Sequence, residues 1–473
     1  MTSAASVARV GSLTAIAGAL LAGSLSAAPT AGSAVPPGAG PNRPGVAVLA
    51  GLDPAAAGAS PAVVAARLGP SLSDPLLAGP AAYVVDALTG QVLLDVRGQV
   101  PTMPASTLKM AVATAALATF GDTRLRTSVS YSPPAGGAPT APGGTLWLVG
   151  GGDPTLTAAP AIGPDVYPVP ARLGDLVAQV RAAGITSVAR VVGDASLFTG
   201  PDRAPGWRDN YVTDGDVEPV SALTVDAGRA APGATGPRSP LPAATATAAF
   251  AGALAGAGIQ VGAVGLGPAE PSARRVAAVD SPPVRLLVEK MLAESDNDLA
   301  ESLGRLLARH RGQPASFDGA TRAVTDTLTE LGTSTAGMSI SDVSGLSTND
   351  RVPPATLVAL LRSAARTADR PALRSLLTGL PVAGFSGTLA DRYGTRESAA
   401  GAGQVRAKTG TLRNVTGIAG QVVDADGRLL LFAFLSPAEE AGTTKAALDR
   451  VTSALAGCGC RPAPSAVSNP PGR

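Results

Sequence analysis

The chain has 473 residues, 45% of them hydrophobic and 15% charged, with a formal net charge of +2. That is length enough for two or three domains, with no sustained basic stripe, so nucleic acid is excluded as a default partner. There is one histidine, His310, in the polar stretch ARHRG, where it reads as a solvated residue at a helix end; a Ser-His-Asp or Cys-His site would have to use it, and a zinc site would lack its usual ligands.

The N-terminus, MTSAASVARVGSLTAIAGALLAGSLSAAP, has one early Arg, an apolar run to Leu25 and then small residues, the pattern of a secretory signal over residues 1–28. The mature protein is therefore expected outside the cytoplasm. The other reading is an uncleaved anchor, and membrane contact is expected only in that case, since no other segment is long and apolar enough to span. Residues 29–64 follow as a Pro/Gly/Ala linker.

Residues 65–128 open an α+β domain. The run AAYVVDALTGQVLLDV places two short β-branched stretches around Thr89-Gly90, which predicts a hairpin. PASTLKM then leads into AVATAALATF, a run of strong helix formers, so Ser106 and Lys109 stand three apart on one helical face and can touch. Such a pair is either a helix cap near a solvated amine or a nucleophile beside its base. Residues 129–279 carry strand-like pieces such as GTLWLVG and VARVVGD between Pro/Gly-rich loops and read as a mainly β insert of one or two small units. Its GGGDPTL lacks the Gly-Lys-Ser/Thr ending of a phosphate loop and reads as a tight turn.

The domain resumes over residues 280–460. Val284, Leu287, Val288, Met291 and Leu292 follow helical spacing, as Leu299, Leu303, Leu306 and Leu307 do in part. Between the two helices lies Ser295-Asp296-Asn297, whose polar side chains are available at the break or else cap the second helix, with Asp298 and Glu301 adding capping-box character. Lys408-Thr409-Gly410-Thr411 precedes a final hairpin, VTGIAGQVV and RLLLFAFLS around the turn Asp424 to Gly427. The stretch is either a surface turn or a strand start where Gly410 admits a substrate and the Lys and Thr side chains offer donors to a carboxylate. Hairpins from opposite ends of the domain are expected to share one antiparallel sheet. Cys458-Gly-Cys460 reads as a tight disulfide or an unlinked pair rather than a redox centre, and residues 461–473 as a disordered tail.

Ser106-x-x-Lys109, Ser295-Asp296-Asn297 and Lys408-Thr409-Gly410, in that order, resemble the motif set of the penicillin-binding proteins and class A β-lactamases. The long interval from Ser106 to Ser295 is similar to that of the low-molecular-mass class C D-alanyl-D-alanine carboxypeptidases and endopeptidases. So are WLVGGGDPTLT, GDASLFTGP, PGW at 205–207, PVSALTVD and DVSGLSTNDRV. The resemblance implies a serine β-lactamase/transpeptidase-like domain, an antiparallel sheet with helices, interrupted by the insert between the first and second motifs.

It also implies a mechanism. Ser106 attacks the penultimate D-Ala carbonyl of a peptidoglycan stem peptide, and Lys109 takes its proton. Ser295 relays the proton to the leaving nitrogen, while Asn297 holds Lys109 and the substrate amide. Lys408 keeps the site electropositive, Thr409 and Thr411 grip the substrate carboxylate along the strand that Gly410 leaves open, and the N–H groups of Ser106 and Thr411 form an oxyanion hole. β-Lactam antibiotics enter the same path, and neither a metal nor an organic cofactor is implied. Two departures stand out: Val343 replaces a common Gly, and Thr348 stands where the family often has an Arg that binds the diaminopimelate side chain; the expectation is either that Arg413, two residues beyond Thr411, supplies a guanidinium from another direction or that the stem peptide is modified at that end. The alternatives are a β-lactamase or esterase of the same fold, for which no deacylating Glu is evident, and a non-catalytic cell-wall-binding protein.

Overall fold

The computed structural model describes residues 58, 60–366, 371–437 and 441–458. The segment read as a signal, nearly all of the linker, Cys460 and the C-terminal tail lie outside them. The linker ends earlier than expected: Pro61–Leu72 is helix α1, with Pro61 at its first position and the Ser60 side chain accepting from Val63 N. Strands β1 (Ala81–Asp86) and β2 (Val92–Val96) form the first hairpin, followed by α2 (Lys109–Phe120).

The inserted sheet is built from β3 (Arg124–Ser132), β4 (Gly144–Val149), β5 (Ser187–Asp194), β6 (Gln260–Leu266) and β7 (Arg274–Pro283), in the spatial order β6-β5-β4-β3-β7. Its edges therefore fall at Arg124 and Pro283, outside the residues 129–279 read from sequence, because β3 and β7 pair over their full lengths as the two strands that enter and leave the insert. The strands β4, β5 and β6 run parallel, and parallel neighbours need crossovers. Helices α3 (Leu173–Ala182) and α5 (Pro242–Gly256) supply them and cover one face of the sheet through Leu176, Val180, Phe250 and Leu254. The single turn α4 (Tyr211–Asp214) lies between them in sequence.

Helices α6 (Val284–Glu294), α7 (Asn297–His310), α8 (Phe317–Glu330), α9 (Pro354–Ala365) and α10 (Arg374–Thr378) come next, then strands β8 (Arg406–Leu412), β9 (Val415–Val423) and β10 (Leu429–Ser436), and last α11 (Ala441–Ala456). The second sheet has the order β2-β1-β10-β9-β8, all antiparallel, so the hairpins from the two ends of the domain do share one sheet. Strand periodicity divides its core. Leu431, Ala433 and Leu435 of β10 face α2 and the helices after the insert, whereas Leu430, Phe432 and Phe434 face α1 and α11. Arg428 forms a buried, bidentate ion pair with Asp86, tying the turn of the last hairpin to that of the first.

This layering buries α2 on nearly every side, in keeping with its apolar composition, and brings the start of α2, the α6–α7 break and strand β8 together. His310 is exposed at the end of α7, with Phe120 edge-on to its ring. GGGDPTL is a turn: the Asp153 carboxylate accepts from Thr155 N at 2.9 Å, and Gly150 and Gly151 lie too close to the backbone of Ala222 and Arg126 for any side chain. Among the described residues no helix is long and apolar enough to cross a membrane.

Candidate active site

The turn before α2 is not α-helical. Residues Ala105–Leu108 form a 3-10 turn, in which positions three apart eclipse each other, so Ser106 and Lys109 align more closely than on an α-helix. Ala105 sits at φ 45°, a left-handed conformation that a non-glycine residue holds only where its surroundings impose it. Two glycines impose it. A Cβ on Gly345 would stand 2.0 Å from Ala105 O, and one on Gly410 would stand 2.7 Å from Pro104 O, so both backbones press against the residues that present Ser106.

Lys109 is fully buried, and its Nζ lies 3.0 Å from Ser106 Oγ, 2.6 Å from Asn297 Oδ1 and 2.6 Å from the Ser344 carbonyl. The amide oxygen and the carbonyl can only accept. Once the amine loses a proton, its two remaining N–H bonds stay on those acceptors and its lone pair faces the Ser106 hydroxyl. Burial lowers the Lys109 pKa to about 8, opposed by the carboxyl groups of Asp342, Glu301, Asp296 and Asp298. An amine of that kind is an effective general base near neutral pH.

The Ser295-Asp296-Asn297 break does both things that its sequence permits. Ser295 ends α6 in the left-handed conformation at φ 61° and lines the cleft, and Asp296 caps α7 by accepting from Leu299 N. Asn297 spends one amide hydrogen on Asp216 O at 2.8 Å, which leaves the other for a ligand. The capping-box expectation for Asp298 and Glu301 does not hold, because both carboxyls are buried and turned to other loops. Asp298 accepts from Glu218 N at 2.9 Å and pairs with Arg238 at 3.2 Å, joining the insert to α7. Glu301 Oε1 accepts from Val343 N and Ser344 N at 3.1 and 2.8 Å and so fixes the carbonyl that holds Lys109. Asp342 accepts from Gly345 N, Ser347 N and Trp207 Nε1, which explains why PGW and DVSGLS lie together. Burial pushes Glu301 up to about 8 and Asp350, beside Asp342, up to about 10.

Strand β8 is the free edge of its sheet. Residues 381–383 cover its first part through Ala407 N, which donates to Pro381 O, while Thr409 and Thr411 border the cleft beside Ser106. The Thr409 and Thr388 hydroxyls are 2.8 Å apart. Lys408 does not itself line the cleft. It is fully buried, its Nζ donates to Thr409 O at 2.8 Å, and burial together with the nearby Lys109 charge pushes it well below the usual lysine range. Arg208, Arg229, Arg413 and Lys445 also border the cleft, and none of them forms an ion pair among the described residues. Thr348 is held away by Gly206 O and does not line the cleft, whereas Arg413 does.

The cleft, about 690 Å³, thus unites Ser106, Ser295, Asn297, Thr409 and Thr411, with Lys109 beneath its floor. Sequence reasoning did not assign Glu301, Asp342 or the Ser344 carbonyl to the site; DVSGLSTNDRV was the signal for the last two. A serine hydroxyl within hydrogen-bond reach of a buried lysine amine, with a strand edge bordering the same cleft, is the geometry of the serine hydrolases that work through an acyl-enzyme. The chain belongs to the D-Ala-D-Ala carboxypeptidase 3 (S13) family, which it matches over residues 64–240 and 230–455. It is 42% identical over 426 residues to a carboxypeptidase of Mycobacterium tuberculosis (89% of this chain, 90% of that one). It is 39% identical over 442 residues to carboxypeptidase DacB of Mycolicibacterium smegmatis, covering 91% of each chain. Penicillin binding protein 4 of Haemophilus influenzae shares the fold at a TM-score of 0.69 with 23% identity, over 81% of this chain and 97% of that one.

Proposed function

We propose that this chain hydrolyses the D-Ala-D-Ala ends of peptidoglycan stem peptides outside the cytoplasm, with Ser106 as nucleophile and Lys109 as its base. The observation that carries the reading is the placement of Lys109 Nζ between Ser106 Oγ and two groups that can only accept hydrogen bonds. A stem peptide adds along the free edge of β8, its terminal carboxylate at Thr409 and Thr411 and its acyl amide at Asn297 Nδ2. Ser106 Oγ bonds to the penultimate carbonyl carbon while its proton passes to Lys109. The oxyanion meets the N–H groups of Ser106 and Thr411, the loss of either donor costing about 2.7–4 kcal/mol in an enzyme of this kind. As the C–N bond breaks, the proton travels from Lys109 by way of Ser295 to the leaving nitrogen. Water then attacks the ester and Ser106 is restored.

β-Lactams acylate the same serine in this scheme. Arg413, on the cleft wall where Thr348 is absent, takes the free carboxylate of a diaminopimelate side chain; unchanged cleavage of such stems by Arg413→Ala would remove that role. The activity itself is tested by incubating the mature chain with a stem pentapeptide and measuring released D-alanine. Release by the wild type and none by Ser106→Ala is expected; equal release by both contradicts the assignment.

A further inference from the structure

Beside the threonines of β8 the cleft holds one more hydroxyl. Thr388 borders it together with Thr409 and Thr411, and Thr388 Oγ1 lies 2.8 Å from Thr409 Oγ1. Thr388 is exposed, whereas Thr409 is only 8% accessible. A buried polar group must find a partner, but an exposed one has water to serve it. The contact between the two hydroxyls is therefore not imposed on Thr388 by desolvation.

The chain that carries Thr388 is fixed on both sides. Before it, residues 381–383 run beside the start of β8, with Ala407 N donating to Pro381 O at 3.0 Å and Ala383 N to Val405 O at 2.9 Å. The chain then folds back, Gly384 N donating to Leu389 O at 2.9 Å and Val382 N to Ser386 Oγ at 3.0 Å, into the short 3-10 turn Gly387–Leu389. Gly387 has φ 54°, and a Cβ on it would stand 2.3 Å from Ala293 O, so the turn rests against the end of α6, two residues before Ser295. Leu389 is fully buried in the core that faces α1 and α11. The turn thus bridges β8 and α6, the elements that carry Thr409 and Ser295, and Thr388 stands between its two anchors. Its hydroxyl is held beside Thr409 before any ligand arrives.

A threonine hydroxyl has one hydrogen and two lone pairs. In a pair 2.8 Å apart, one hydroxyl gives its hydrogen to the other, and a single hydrogen is left for a ligand. If Thr409 gave its hydrogen to Thr388, it would meet a carboxylate with lone pairs alone. The arrangement compatible with an anion at Thr409 is the reverse: Thr388 donates to Thr409 Oγ1, and the Thr409 hydrogen turns to the ligand. A hydroxyl that accepts one hydrogen bond is polarised and donates a stronger one, and a charged acceptor gains more from this than a neutral one. We propose that Thr388 is a positioning residue for carboxylate recognition: it sets the direction of the Thr409 hydroxyl and so biases the enzyme toward substrates whose terminal carboxylate is free.

This role rests on the function proposed above, and the experiment separates the two. The second-order rate constant of acylation is measured with benzylpenicillin, whose carboxylate is free, and with its methyl ester. The wild type, Thr388→Val, Thr388→Ala and Thr388→Ser are compared, with thermal melting as a control on folding. The wild type favours the free acid. Valine has the shape of threonine without its hydroxyl, so Thr388→Val, and Thr388→Ala with it, lower the acid-to-ester ratio by about three- to tenfold, the size of one lost hydrogen bond, while Thr388→Ser keeps it within about twofold. In a Thr409→Val background, Thr388→Val lowers the ratio no further, because the residue acts through Thr409. Equal losses on acid and ester mark a merely structural role and overturn the proposal. So do an unchanged ratio in both Thr388→Val and Thr388→Ala, a fallen ratio in Thr388→Ser, and a full further loss in the Thr409→Val background. A wild type acylated equally well by acid and ester overturns it too and leaves the acyl-enzyme reading standing. A wild type that is not acylated and releases no D-alanine from a stem pentapeptide overturns the reading on which the role rests.

Discussion

Lys109 and Lys408 are both fully buried and belong to one site, yet their surroundings differ. Lys109 has three hydrogen-bond partners and, facing it, the carboxyls of Asp342, Glu301, Asp296 and Asp298. These oppose its desolvation, the larger effect, and leave it titrating at about 8. Lys408 donates to one carbonyl and feels only the repulsion of Lys109, so its amine falls well below the ordinary range. Burial by itself lowers an amine's pKa. The carboxyl groups facing Lys109 oppose that loss, which suits it to the role of base proposed for it.

The largest expected effect separates the two lysines. Lys109→Met lowers the rate of acylation by benzylpenicillin by about 10³-fold, within the range of a lost general base, whereas Lys408→Met costs about tenfold. Stopped-flow acylation checks this, and equal losses would break the comparison. Next comes the carboxyl ring. Glu301→Leu leaves the N–H groups of Val343 and Ser344 unpaired in the interior, at about 1–3 kcal/mol each, and frees the Ser344 carbonyl from its place against Lys109. Acylation is expected to fall by about 10- to 100-fold, largely restored in Glu301→Gln, whose amide oxygen still accepts.

The pH profile sharpens the comparison further. Since the neutral amine is the base and its pKa is about 8, the acylation rate constant climbs about tenfold per pH unit below that value and levels off above it. Glu301→Gln removes a carboxylate that forms as pH passes about 8, so the limb moves toward acid. The smallest effect is at Lys408: the Lys109 and Lys408 charges repel each other, so Lys408→Met is expected to raise the limb, and by less than Glu301→Gln lowers it.

Much of this site was legible in the sequence because it rests on short-range spacing. Ser106 and Lys109 lie one turn apart, Ser295 to Asn297 interrupt two amphipathic helices, and Gly410 stands in a strand beside polar groups, so each position has a local physical reason. The two hairpins were legible for the same cause, through alternation of β-branched residues around turn signals. What escaped depends on contacts distant in sequence. Glu301 reads as a capping residue until its carboxyl is seen to reach Val343 and Ser344, and the state of Lys408 follows from burial, which no motif reports. Helix α5 was absorbed into a β-rich reading because its alanine-rich run carries little periodicity; α3 was overlooked although Leu173, Leu176, Val177 and Val180 follow helical spacing, and the parallel pairing of β4, β5 and β6 that demands both helices is a property of the folded insert.

The central claim is that Lys109 activates Ser106, and one measurement tests it most directly: intact-protein mass after benzylpenicillin treatment of the wild type, Ser106→Ala and Lys109→Met. The account predicts a one-to-one adduct on the wild type, none on Ser106→Ala, and adduct on Lys109→Met only after greatly prolonged exposure. An adduct that persists in Ser106→Ala, or one that forms on Lys109→Met at the wild-type rate, would contradict it.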